Sequence, residues 1–298
     1  MKTAERTSKR PDTTTEPGAM RRMGGWLAGS RTTLYISAAF IALMLVAGGG
    51  IIGARLIGDD DAATPTRTSS AATPTPTGTP PPPDLTPGEP FNPPSADMLG
   101  RPIAYPKNLA GQPLPQQPVD RDAYSCPAPP TCPPLDAPAS VMWQIIGPFA
   151  LPFSTSDGPT RVDGPLVAGY TRTPQGAALA AWQVQSRVAI SRAHLDAARD
   201  TQIVAVPGQD LSSTEEWDIS SIDPVVPRPS AFRITGWSAD ATFAVIQYAV
   251  PDRRRVGTNW MIVQLQALWQ DGDWKLRGAD VEPGPFAPLT TLSGWSEW

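Results

Sequence analysis

The side chains best able to do chemistry are few and widely spaced in this chain. The single histidine, His194, is flanked by Arg192 and Asp196. A serine hydrolase triad would require a serine and an acid gathered around it, and no Gly-x-Ser-x-Gly elbow occurs in the sequence. Metal sites need His, Cys, Asp and Glu at ligand spacings, and none is spaced that way. The acidic run at Glu215, Glu216 and Asp218 reads as a solvated loop or helix start. Paired carboxylates of a glycosidase find no supporting spacing either. The expectation is therefore a chain with no catalytic, cofactor-binding or metal-ligating residues, in which His194 is a partly exposed residue toward the end of a helix.

Two other groupings carry chemistry of a different kind. Cys126 and Cys132 are the only cysteines, separated by a short segment containing Pro127, Pro129 and Pro130. Two thiols without histidine neighbours fall short of a structural zinc site, whereas a thiol pair outside the membrane favours a disulfide. The expected role is a staple where a stalk meets a folded domain. Arg253, Arg254 and Arg255 follow Pro251-Asp252 in a loop between two strands. Such a run is either a solvated loop or a contact for an acidic partner or wall polymer.

The elements that must position these residues begin with an uncharged run. Between Arg31 and Arg55, residues 32–54 are almost entirely apolar or small. A helix needs about 20 such residues to cross the hydrocarbon core. A cleaved signal peptide has a shorter apolar region nearer the N-terminus, followed by a small-x-small site. Here the run starts beyond residue 30, and isoleucines and Arg55 follow its glycines, so an uncleaved anchor is expected. Lys2, Arg6, Lys9, Arg10, Arg21, Arg22 and Arg31 precede it, while Asp59, Asp60 and Asp61 follow Arg55. Basic flanks stay in the cytoplasm. The chain is thus read as a single-pass protein of the cell membrane with residues 1–31 as a cytoplasmic tail and the C-terminal part outside.

Residues 55–138 are dense in Pro, Thr, Ser, Ala and Gly, including the run Pro80–Pro83. Too few apolar side chains are present to offset backbone ordering. The expectation is a disordered, extended stalk of polyproline geometry, acting as a semi-rigid spacer. A formal net charge of −4 on 298 residues shows no basic footprint, so direct nucleic-acid binding is not expected. Arginine outnumbers lysine, and Ala, Pro and Gly are abundant, a usage that resembles coding from a high-GC bacterium.

Residues 139–298 are expected to form one α+β domain. Every tryptophan except Trp26 lies beyond residue 139. Thr173 suits an N-cap and Pro174 the first helical position. Leu179, Trp182, Ser186, Ala189 and Ile190 then share one face of a helix that continues toward Ala198, with Gln185, Arg187 and Arg192 on other faces. The alanines at 177, 178, 180 and 181 admit close approach of another element. Strict alternation over 231–237, 240–250 and 260–269, then Asp271-Gly272 before Trp274 and Leu276, predicts antiparallel strands with a tight final hairpin. Further strands are expected around 141–146 and 202–206. Trp295 and Trp298, in Ser-Gly-Trp-Ser-Glu-Trp, are expected to dock on the domain itself.

The long helix, the curved antiparallel strands and the ending Leu268-Trp269-Gln270-Asp271-Gly272-Asp273-Trp274-Lys275-Leu276 resemble the nuclear-transport-factor-two-like cone fold. The stretch from Gly169 to Ala178 resembles membrane-anchored accessory proteins of conjugative elements in high-GC Gram-positive bacteria. Those proteins share the order of tail, span, Pro/Thr stalk and outer domain, and the same fold builds a scaffold component of type IV secretion machines. The resemblance implies a non-enzymatic scaffold of a DNA-transfer or secretion apparatus, whose partners are the lipid bilayer, other subunits and a second copy of itself. It also brings an enzymatic alternative, since the cone fold hosts pockets with a carboxylate base and a hydrogen-bond donor, for which Asp240 and Tyr248 are the candidates. The competing class is a stalked cell-wall-binding protein or cell-wall enzyme.

Overall fold

Among the described residues the chain forms three sheets and two helices. In a computed structural model the described residues are 90–97, 99–207, 209, 211, 216–221, 228–252, 259–278 and 288–298. The basic tail, the span expected at 32–54 and residues 55–89 lie outside them. Among the described residues no helix is long and apolar enough to cross a membrane.

A four-stranded sheet joins β1 (Phe91–Ala96), β2 (Pro102–Pro106), β3 (Met142–Ile146) and β4 (Phe149–Phe153) in that order. A hairpin follows from β5 (Arg161–Asp163) and β6 (Leu166–Ala168). Helices α1 (Pro174–Val188) and α2 (Arg192–Arg199) come next, then β7 (Ile203–Val204). The six-stranded sheet has the order β12-β8-β9-β10-β11-β7, built from β8 (Ala231–Trp237), β9 (Phe243–Pro251), β10 (Trp260–Gln270), β11 (Asp273–Arg277) and β12 (Ser296–Glu297). The domain is thus mixed α+β, as the alternation predicted, and the meander β8–β11 is antiparallel throughout. Val263, Leu265 and Ala267 face the core, opposite Tyr248, Ile246 and Ala244. The final hairpin turns through Asp271 and Gly272, both at positive φ (53° and 80°), which matches the twist of its strands.

Helix α1 starts as its sequence dictates. Thr173 accepts from the Gly176 amide at 3.0 Å, and Pro174 occupies the first turn. A Cβ on Gly176 would lie 2.1 Å from the Thr171 carbonyl, so the cap fits only glycine there. Beyond that start, the expected single apolar face is replaced by burial of nearly every residue of the helix. Such a helix sits between layers. Tyr248 of β9 donates its hydroxyl to the Ala178 carbonyl at 2.7 Å, and Gln183 Nε2 donates to the Pro152 carbonyl of β4 at 2.9 Å. The alanines at 177, 178 and 181 are fully buried, giving the close approach their size suggested.

The helix does not continue to Ala198. Ile219 donates to the Ile190 carbonyl at 2.8 Å and Arg192 to the Trp217 carbonyl at 3.0 Å. Ser191 is extended (φ −158°, ψ 164°) and caps α2. Backbone bonds to the 217–219 segment therefore compete with helical continuation, and a new helix restarts from a serine cap.

The expected stalk also needs correction where it is described. Residues 90–138 are built into the domain. β1 and β2 form a hairpin, β2 pairs with β3 in parallel, and Ile103, Ala104 and Leu114 are buried. From Lys107 onward the chain runs as a strap pinned by polar side chains. Gln112 and Gln144 exchange two amide bonds at 2.7 Å, Gln116 Nε2 donates to the Ser154 carbonyl at 3.1 Å, and the Gln117 amide donates to the Thr155 carbonyl at 2.6 Å. Composition missed this because the strap is held by directed hydrogen bonds and by the surface of the sheet, while its prolines are already restricted in the unfolded chain. The folded part therefore begins well before residue 139.

Candidate functional site

The histidine is spent on capping. Ser191 Oγ accepts from the His194 amide at 3.3 Å and meets His194 Nδ1 at 2.8 Å. His194 thus stands in the first turn of α2, not toward the end of a longer helix. Ser191 also forms an antiparallel bridge with Asp218, so serine, histidine and acid do converge. Asp218 Oδ1 accepts from the Ser220 amide at 2.8 Å, and the serine of the trio is buried. Burial and the nearby Arg187 guanidinium push the His194 pKa down, opposed by Asp218. Asp240 sits exposed in the β8–β9 turn, where bonding to Ser238 and Thr242 lowers its pKa. Tyr248 is fully buried against α1, so the two candidates of the enzymatic alternative share no pocket. Arg253, Arg254, Arg255 and Glu215 lie outside the described residues. Among the described residues no group of His, Cys, Asp and Glu is placed to hold a metal ion.

Cys126 and Cys132 are joined, with Cα atoms 4.7 Å apart. The loop they close, 127–131, is exposed throughout. Just before it Tyr124 packs edge-on against Trp237 with centroids 6.0 Å apart. The bridge therefore closes a local loop within the strap, and not the junction of a stalk with the domain, while Tyr124 makes the contact with the six-stranded sheet.

Two buried charges escaped the sequence reading. Asp157 is fully buried and takes a two-pronged bond from Arg121 of the strap, both contacts at 3.0 Å. Ser156, Thr171 and Thr173 donate their hydroxyls to the same carboxylate. Arg187, placed off the apolar face by its spacing, is 1% exposed. It donates to Gln183 Oε1 at 2.9 Å and to the Ala110 carbonyl at 2.7 Å, tying α1 to the strap. Burial lowers its pKa to about 10, opposed by Tyr170. Only pairing across distant segments makes these residues special, and one sequence carries no mark of it.

Two further arginines come together where the tip of the β1–β2 hairpin meets the start of β8. Asp97, Leu99, Gly100 and Arg101 form that tip. Asp97 Oδ1 accepts from the Leu99 and Arg101 amides at 2.9 Å, and Gly100 takes φ +75°. The same carboxylate holds the Arg101 guanidinium at 2.7 Å. Arg101 then reaches Ser230 Oγ at 3.2 Å and the Arg228 carbonyl at 2.9 Å. Arg228 stacks over Trp143 at 5.2 Å, with its Nε 3.7 Å from Asp97 and without a hydrogen bond. Two guanidiniums share one carboxylate. Burial and the neighbouring Arg101 charge lower the Arg228 pKa to about 10, opposed by Asp97. Burial likewise lowers that of Arg101, opposed by Asp97. Above them opens a groove of about 250 Å³ walled by Leu99, Trp260, Leu292 and Trp298.

The C-terminal segment completes this wall. Trp295 is 7% exposed and packs with Ala231 and Ala249 on the outer face of the sheet. Trp298 stacks on Phe232 at 4.5 Å and meets Trp143 edge-on at 5.4 Å. Both tryptophans thus dock on their own domain, as expected.

The profile of a protein family described as "Domain of unknown function (DUF8175)" matches residues 104–297, more than half of the chain. The chain belongs to this family. The matched span begins inside β2 and takes in the strap, the disulfide and Arg121, which agrees with the strap being part of the domain. Neither the curated proteins nor the solved structures give a match.

Proposed function

We propose that this chain is a non-enzymatic, membrane-anchored scaffold or accessory component of a DNA-transfer or secretion apparatus. Its domain outside the membrane acts by protein contacts. The observation that carries the reading is where the chemistry-bearing side chains are spent. His194 serves a cap, Asp157 a buried ion pair and Tyr248 the helix–sheet packing, whereas Arg101 and Arg228 line a groove at the surface. The uncharged run at 32–54 supports anchorage, and the Cys126–Cys132 bridge suits an oxidising compartment outside the membrane. The cone-like arrangement belongs to the same proposal, supported by α1 lying against β9, β10 and β11.

The test is chemical cross-linking of the full-length protein in native membranes, followed by purification. Co-purification with an ATPase or channel subunit is the expected result. Retention on insoluble peptidoglycan, with no membrane partner recovered, would transfer the reading to a stalked wall-binding protein.

A further inference from the structure

We infer that the groove over Arg101 and Arg228 is a docking site for an acidic segment of a partner protein, seating a carboxylate on the guanidiniums and an adjacent apolar side chain between Leu99 and Trp260. This rests on the contact-making reading above and names the partner chemistry of that surface. Two arginines at the base face one carboxylate, Asp97, which already accepts two backbone amides. At the base the guanidiniums outnumber the carboxylate by one, so a carboxylate brought in from outside would be attracted there.

Arg101 is fixed by Asp97, Ser230 and the Arg228 carbonyl, and Arg228 by Trp143 and the Pro102 carbonyl. Guanidiniums held in place lose little freedom on binding, and their planar forks match a carboxylate. A volume of about 250 Å³ takes one or two side chains. Leu99 is 54% exposed on its wall, one of few large apolar side chains so exposed among the described residues. Charge beside apolar wall fits an alternating acidic and aliphatic peptide. Glu297 stands exposed on the rim, where its carboxylate competes for the same donors.

The experiment uses the full-length protein in detergent and a fluorescein-labelled peptide of alternating Glu and Leu. A Gln/Leu peptide and vesicles of anionic phospholipid serve as comparisons. Binding of the Glu/Leu peptide by polarisation, at least tenfold tighter than the Gln/Leu peptide and weakened by salt, is expected. Leu99→Glu places an acid in the wall at an exposed position, and at least a tenfold loss is expected without loss of fold. Glu297→Gln removes the rim acid, and several-fold tighter binding is expected. Arg228→Gln is also expected to abolish binding. Because Arg228 packs on Trp143 and that variant can unfold, the decision rests on the first two. Equal binding of the two peptides, or no response to either Leu99→Glu or Glu297→Gln, overturns the inference. So does vesicle binding that depends on Arg101 and Arg228 with no peptide binding. If the groove fails these tests while the cross-linked protein still purifies with membrane subunits, the scaffold reading stands and only this site falls.

Discussion

At the residue scale, two side chains set measurable behaviour. His194 is held below its ordinary pKa by burial and by Arg187. The unfolded chain therefore binds a proton near pH 6.5, while the folded chain resists it until a lower pH. Stability from this group is present above pH 6.5 and is lost as pH falls from there through the folded pKa. Melting temperature measured between pH 8 and pH 5 should fall on the acid side. His194→Gln should flatten that fall, and an unchanged slope would remove His194 as its source. The Arg121–Asp157 pair carries a larger effect. Removing one partner of a buried pair costs about 3 kcal/mol at the low end. That end applies here because three hydroxyls still compensate Asp157. Arg121→Ala and Asp157→Ala should each destabilise by that order. The double variant should lose clearly less than the sum, and additivity in chemical denaturation would show that the contact contributes nothing. Neither residue announced itself in the sequence, because Arg121 stands in a Pro-rich tract and Asp157 in a turn.

At the element scale, what was legible follows from periodicity. Strands β8–β11 alternate because one face of the sheet meets α1, and Asp271-Gly272 marks its turn by the positive φ that it requires. The Thr173-Pro174 helix start was equally local. The end of α1 was not, because bonds from segment 217–219 decide it. The strap was misread for a related reason. Its order comes from Gln112, Gln116 and Arg121 reaching partners in β3 and beyond β4, and no property of a Pro-rich window records those partners. The disulfide was legible from two lone cysteines. Closing so short a loop contributes about 2 kcal/mol in the entropy model. Cys126→Ser with Cys132→Ser should lower stability by about that amount, and intact mass after alkylation without reductant should show no free thiol. Two alkylated thiols would show that the bridge is not formed in the mature protein.

At the scale of the whole molecule, the domain depends on chain that composition assigned to a spacer. A chain beginning at residue 90 should unfold cooperatively on heating. One beginning at residue 139 lacks β1, β2, Leu114 and Arg121, leaving Asp157 a buried charge without its guanidinium. It should give no cooperative transition, and equal melting of the two chains would return the strap to the role of spacer. The contact surface proposed for this domain is the Arg101–Arg228 groove. A photo-crosslinking residue at position 99 of the full-length protein, in native membranes, tests it most directly, with position 163 in the β5–β6 hairpin as the control. A discrete adduct from position 99, absent from position 163 and suppressed by the Glu/Leu peptide, is the predicted result. An adduct that the peptide leaves unchanged, or none from position 99, would contradict it.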